Sequence, residues 1–321
     1  MSYRIKAGLP LDAEIRRIAE EQIDKASAEL SAPKPGEDPH EAIHDVRKRF
    51  KKLRALVLLV RSGDTGFART ENARFRDAAR ALSGVRDRTA LIEALDALAE
   101  NVPAGLSEEA TKAAFAALRG DLEARREAAL AGEGDLAATI AATIAATLTT
   151  LSDSRDAAGM LAFHRPVKDA PKVLAAGFAA THGRARDALK KALSSGTAED
   201  LHDLRKHVKY LSFHLALLAP LWPETFEPQR KIAADTADDL GRDHDYAVLR
   251  AELLPEAENH ALVLALMDRR QAELQAGALL AARRLLADKP EAVAARIKRL
   301  FRIAAEDVSA AEAAAKGSAA G

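Results

Sequence analysis

The stretch His44–Arg54 reads HDVRKRFKKLR, and Leu201–Leu211 reads LHDLRKHVKYL. In the first segment and its continuation, Val46, Phe50, Leu53, Val57 and Val60 recur at three- and four-residue spacings. That is the apolar stripe of an amphipathic helix. Leu204, Val208, Leu211, Leu215 and Leu218 form the same stripe, each 158 residues after its counterpart. The polar residues keep this offset as well. His44-Asp45 matches His202-Asp203, Arg47-Lys48 matches Arg205-Lys206, and Lys51 matches Lys209. Leu82, Asp87 and Leu91 likewise pair with Leu240, Asp245 and Leu249. A shared apolar stripe is weak evidence in an alanine-rich chain, whereas charged matches in register indicate one internal duplication.

Both copies carry helix-start signals. Asp38-Pro39-His40-Glu41 supplies an N-cap, a proline at the first helical position and an acid at the third. Thr197 with Asp200 opens the second copy. Helices are expected over 11–31, 39–61, 66–82, 87–101, 107–131 and 135–150. In the second half they are expected over 171–194, 197–218, 223–240, 245–254, 257–287 and 290–315. Proline and glycine punctuate the gaps, and the tail from Ala310 is expected to fray. Asp87 and Asp245 could cap the helices that follow them or orient basic side chains. The chain holds 73 alanines in 321 residues, and aromatic residues make up 4%. Alanine favours helix, whereas sheets favour aromatic and β-branched residues, so the fold class is all-α. Each half holds enough helices for a four-helix bundle with extra helical segments. The expected units are 1–158 and 159–321, joined in one domain.

Lys plus Arg total 48 and Asp plus Glu total 48, so the formal net charge is zero. A uniformly basic nucleic-acid binder is excluded, but a basic groove balanced by acid elsewhere is not. The lack of cysteine excludes disulfides and thiolate chemistry. The N-terminus lacks the apolar core of a signal peptide, and no run is long enough to span a membrane. A cytoplasmic protein is expected. Glu224, Glu227, Asp235, Asp238, Asp239, Asp243 and Asp245 crowd one stretch of the second half.

The repeated helix is locally basic. Residues 44–61 contain seven Lys or Arg and one acid. His44, Arg47, Lys48 and Lys51 share a face, and Arg54 and Arg61 continue roughly along it. The second copy offers His202, Arg205, Lys206 and Lys209. Like charges at these spacings repel by a few tenths of a kcal/mol per pair, so a repeated cost of this kind reads as ligand binding. Arginine presents a donor fork to phosphate oxygens, lysine a compact charge, and histidine a titratable donor. Two such helices facing each other would line a groove for an extended polyanion. Stacking platforms are scarce, with one Trp, three Tyr and nine Phe, so inorganic polyphosphate is favoured over nucleic acid.

These motifs resemble the CHAD family, the conserved histidine α-helical domain. Its pattern is a helix beginning His-x-x-Arg-Lys/Arg in each of two halves, followed by Leu-Gly and then Asp before an apolar run. Here the second element reads LSGVRDRTAL from Leu82 and LGRDHDYAVL from Leu240. The resemblance covers nearly the whole chain. It implies two four-helix bundles related by pseudo-two-fold symmetry, with basic residues lining a groove or pore that binds inorganic polyphosphate. It also makes polyphosphate granules a candidate location. The residues carried over are His44, Arg47, Lys48, Lys51 and Arg54, with His202, Arg205, Lys206 and Lys209. Lys52, Arg61, Arg86, His207, His214 and His244 are secondary candidates. The chain departs from the pattern where Ser212 occupies the position matching Arg54, so the second half is expected either to grip more weakly or to borrow His214 or His207.

Catalysis has less support. No phosphate-binding GxxxxGK[ST] loop occurs. His202 and His207 lie five residues apart, and Asp243 and Asp245 two apart, so neither pair shares a helix face. A non-enzymatic binder without cofactor or metal is expected. The alternatives are a phosphate-transferring or hydrolysing enzyme and a nucleic-acid-associated or structural helical protein.

Overall fold

A computed structural model of the chain describes residues 3–31, 39–82, 87–132, 136–163 and 169–318. Among these the chain is helical, in the order α1 (Leu11–Ser31), α2 (Pro39–Leu59), α3 (Thr65–Ala81), α4 (Asp87–Ala99), α5 (Glu108–Gly132) and α6 (Leu136–Gly159). The second half runs α7 (Ala170–Ser195), α8 (Ala198–Leu218), α9 (Pro223–Leu253), α10 (Ala261–Leu285) and α11 (Pro290–Ser318). Thr197 accepts a hydrogen bond from the backbone N–H of Asp200, the cap its sequence implied. Asp38 lies outside the described residues, although α2 does begin at Pro39.

Neighbour relations recur between the halves. α1 packs on α2, and α7 packs on α8. α6 lies on α1, and α11 on α7. α2 also meets α3, and α8 meets α9. The halves join where α2 packs directly on both α7 and α8, and again where α4 packs on α9. One continuous core draws on α1, α2, α3, α7, α8, the first part of α9 and the ends of α6, α10 and α11. A second core joins α4 and α5 to the end of α9 and most of α10.

Small residues set the closest approach. A Cβ on Gly177 of α7 would lie 1.8 Å from the carbonyl oxygen of Leu59, so α7 meets the end of α2 backbone to backbone. The N-terminal segment straps the same region. The Ile5 N–H donates to the Leu217 carbonyl at 2.8 Å, and the Tyr3 hydroxyl donates to the Lys52 carbonyl at 2.6 Å.

Several expected boundaries need correction. The break between 240 and 245 does not exist, because α9 runs unbroken through it. Asp245 therefore caps nothing. Two tertiary contacts account for the continuity. The Arg205 guanidinium lies over Gly241, 3.0 Å from where a Cβ would stand. Two residues on, the buried Asp243 carboxylate accepts hydrogen bonds from Gln271 and Gln275 of α10 at 3.1 and 2.7 Å. The helix expected to start at 257 starts at Ala261, after a 3-10 stretch over Leu254–His260 that is kinked at Glu256. α6 extends to Gly159, and α11 continues to Ser318 past the expected point of fraying.

Candidate functional site

The two repeated helices touch. His214 of α8 is fully buried, and its Nε2 lies 2.8 Å from the Ala55 carbonyl of α2. One turn away, the Arg54 guanidinium sits 5.5 Å from the centroid of the Tyr210 ring. Arg54 also donates from Nε to Asn72 of α3 at 3.1 Å. The seam between the copies is thus built from Arg54, Ala55, Tyr210 and His214. The expectation that His214 substitutes for the missing arginine gives way here. Burial pushes its pKa down to about 4, and its ring holds two helices together instead of meeting solvent. Ser212, at the position matching Arg54, is also buried and donates to the Lys209 carbonyl at 2.8 Å.

On α8, the residues at spacings of three and four face α9, which runs antiparallel to it. The His202 ring meets that of His244 at a tilt of 47°, with ring centroids 4.2 Å apart. Arg205 lies over Gly241, and Lys209 pairs with Asp238 at 2.7 Å. The order 202, 205, 209 thus meets 244, 241, 238. Lys206 is exposed and pairs within its own helix with Asp203, which also lies 3.7 Å from His207.

Desolvation lowers the His202 pKa to about 4, helped by the charge of His244, Arg205 and Lys206. His244 is lowered by burial and by Arg205, against the opposing pull of Asp245 and Asp243. His207 falls to about 4, again chiefly by burial. These rings are therefore neutral near pH 7. They act as hydrogen-bonding groups there, and an arriving anion would favour their protonation.

On α2, His44, Lys48 and Lys51 are exposed, and Arg47 and Arg54 are half-buried. Lys52 is half-buried beneath the Tyr3 ring, its nitrogen 5.5 Å from the ring centroid. Its pKa is lowered by burial and by Arg49, Lys48 and Lys25. Arg61 is exposed just beyond the end of α2. Arg86 lies outside the described residues. Two neighbours that the sequence reading missed stand at the seam, Tyr210 and Arg184 of α7. Burial and the charge of Arg61 lower the Arg184 pKa. Position 26, the counterpart of 184, is alanine, so a search for repeated residues passes over this arginine.

Among the described residues, no group of three or more His, Asp or Glu is arranged to hold a metal ion. No helix among them is long and apolar enough to cross a membrane. The model of the CHAD domain matches residues 17–254. A comparison with curated proteins finds no match. The family match spans most of the chain and includes both copies of the basic helix, so the chain belongs to the CHAD domain family.

Proposed function

We propose that this CHAD-domain chain binds inorganic polyphosphate without turning it over, through cations contributed by both repeats. The observation that carries the reading is the direct packing of α2 on α8, which places two copies of one basic motif in a single body. Arg47, Lys48, Lys51 and Arg54 supply one set of donors, and His202, Arg205, Lys206 and Lys209 the other. Phosphate oxygens accept bidentate hydrogen bonds from arginine and meet lysine as a point charge. Zero net charge suits such a site, since attraction then comes from a local field and not from the whole surface.

The test is a titration with long-chain polyphosphate and with DNA of equal charge at several salt concentrations. Preferential binding of polyphosphate is expected, with affinity falling as salt rises. Equal affinity for DNA would move the reading to a nucleic-acid-associated protein, and no binding would end it. Incubation with polyphosphate and Mg²⁺ should release no phosphate, and steady release would replace the binder with a hydrolase.

A further inference from the structure

The junction of α2, α7 and α8 brings one cation of the first basic motif together with cations from outside that motif. Arg54 reaches it from α2 and lies against the Tyr210 ring. Arg184 reaches it from α7, half-buried, and its charge acts on Tyr210, His207 and His214. Arg61 approaches from just past the end of α2, close enough for its charge to oppose that of Arg184. Among the described residues, the Arg184 side chain makes one hydrogen bond, a long one of 3.4 Å to the Thr181 hydroxyl. No carboxylate is among the groups acting on it. The nearby acid on α3, Asp77, feels Arg54 but pairs with Arg76 at 2.8 Å.

Guanidiniums gathered in this way repel one another, and partial burial makes the repulsion stronger than in water. An anion among them would turn that cost into attraction. The Tyr210 hydroxyl adds a donor, and burial raises its pKa, so it keeps its proton at neutral pH.

An interior phosphate of a polyphosphate chain bears one charge and continues in two directions. A terminal phosphate continues in one direction and gains a second charge near neutral pH, as phosphate monoesters do. We propose that Arg54 and Arg184, beside Tyr210, with Arg61 close to Arg184, form a seat for the terminal phosphate of a polyphosphate chain. The inference rests on the polyphosphate reading above and adds recognition of the polymer end.

The experiment compares linear tripolyphosphate, which has two ends, with cyclic trimetaphosphate, which has none. Binding of both, and of long-chain polyphosphate, is measured calorimetrically for the wild type, Arg184→Gln, Arg184→Lys and Tyr210→Phe, with helicity checked by circular dichroism. The wild type should prefer the linear trimer. Arg184→Gln should weaken that binding by about tenfold, the weight of one charge-assisted hydrogen bond, and leave the cyclic trimer unchanged. Arg184→Lys should restore part of the loss, and Tyr210→Phe should cost less than Arg184→Gln.

If Arg184→Gln loses helicity, Arg184→Lys and Tyr210→Phe carry the test, and both should narrow the preference for the linear trimer. A wild type that binds long-chain polyphosphate but treats the two trimers alike overturns the seat and leaves the proposed function standing. An undiminished preference in the folded variants does the same. A wild type that binds none of the three removes both readings.

Discussion

The α2–α3 pair and the α8–α9 pair carry the same motif in opposite electrostatic settings. α2 holds six Lys or Arg against two acids, and α3 holds four against two. α8 holds three against three, and α9 four against eight. The position of Asp238, which pairs with Lys209, is matched in the first half by Arg80. The matching helices thus carry the same cations, while the helix beside them supplies acid in one half and base in the other. In the proposed site, Lys206 and Lys209 of the second set pair with the protein's own Asp203 and Asp238, and an anion would have to displace these carboxylates. The first set lies on the more basic pair of helices and should carry most of the affinity.

The largest expected effect tests that inequality directly. Replacing Arg47, Lys48 and Lys51 by alanine should weaken polyphosphate binding by roughly a hundredfold or more, on the order of 1 kcal/mol or more per charge-assisted hydrogen bond. Replacing Arg205, Lys206 and Lys209 should cost about tenfold. The slope of log affinity against log salt should become shallower by nearly one for each phosphate that is no longer neutralised. Equal losses from the two triple variants, read by titration, would remove the asymmetry.

The comparison also depends on α2 staying clamped to the second half. Gly177→Ala should destabilise the protein by about 3 kcal/mol or more, because the new methyl group meets the Leu59 carbonyl and the backbones must separate. Chemical denaturation would show the shift, and an unchanged midpoint would contradict the close approach.

Acid should then act through the second half. His214 is neutral when folded, with its pKa lowered to about 4, against about 6.5 when unfolded. Its contribution to stability is present above the unfolded value and is lost as pH falls from about 6.5 towards 4. Between pH 7 and pH 4.5 the loss should be about 2 kcal/mol. His214→Gln keeps a donor for the Ala55 carbonyl and does not titrate, so urea midpoints of this variant should change less over that range. A variant as acid-sensitive as the wild type would place the titration elsewhere.

The smallest effect sharpens the comparison. Asp238→Asn frees Lys209 and makes the surroundings of the second set of cations less acidic. Polyphosphate affinity should rise by about threefold, the scale of a partly exposed ion pair. A drop in affinity would show that Asp238 positions Lys209 for the ligand instead of competing with it.

The helices that were legible in the sequence were those with strong local signals. α1, α2, α3, α7 and α8 lie within about two residues of their expected bounds, because their stripes, caps and flanking prolines act over a few residues. The misplaced break in α9 had a tertiary cause. Gly241 looks like a breaker in isolation, but Arg205 packs over it, and Gln271 and Gln275 from α10 hold Asp243 two residues later. The repeat pattern exposed the candidate cations and hid Arg184 and Tyr210, whose counterparts are Ala26 and Lys52. A pattern built from matching positions cannot reveal residues that matter because they differ.

The sequence by itself determined the all-α class, the 158-residue duplication and the identity of two basic helices. Those features depend on local propensity and on periodicity, which a chain carries before it folds. The tertiary structure decided how each copied cation is placed. His214 lies buried against Ala55, Lys209 is held by Asp238, and Arg54 reaches Tyr210. The physical reason is that charge and solvation act through space. Two residues with the same place in a repeat differ in chemistry once different helices pack beside them.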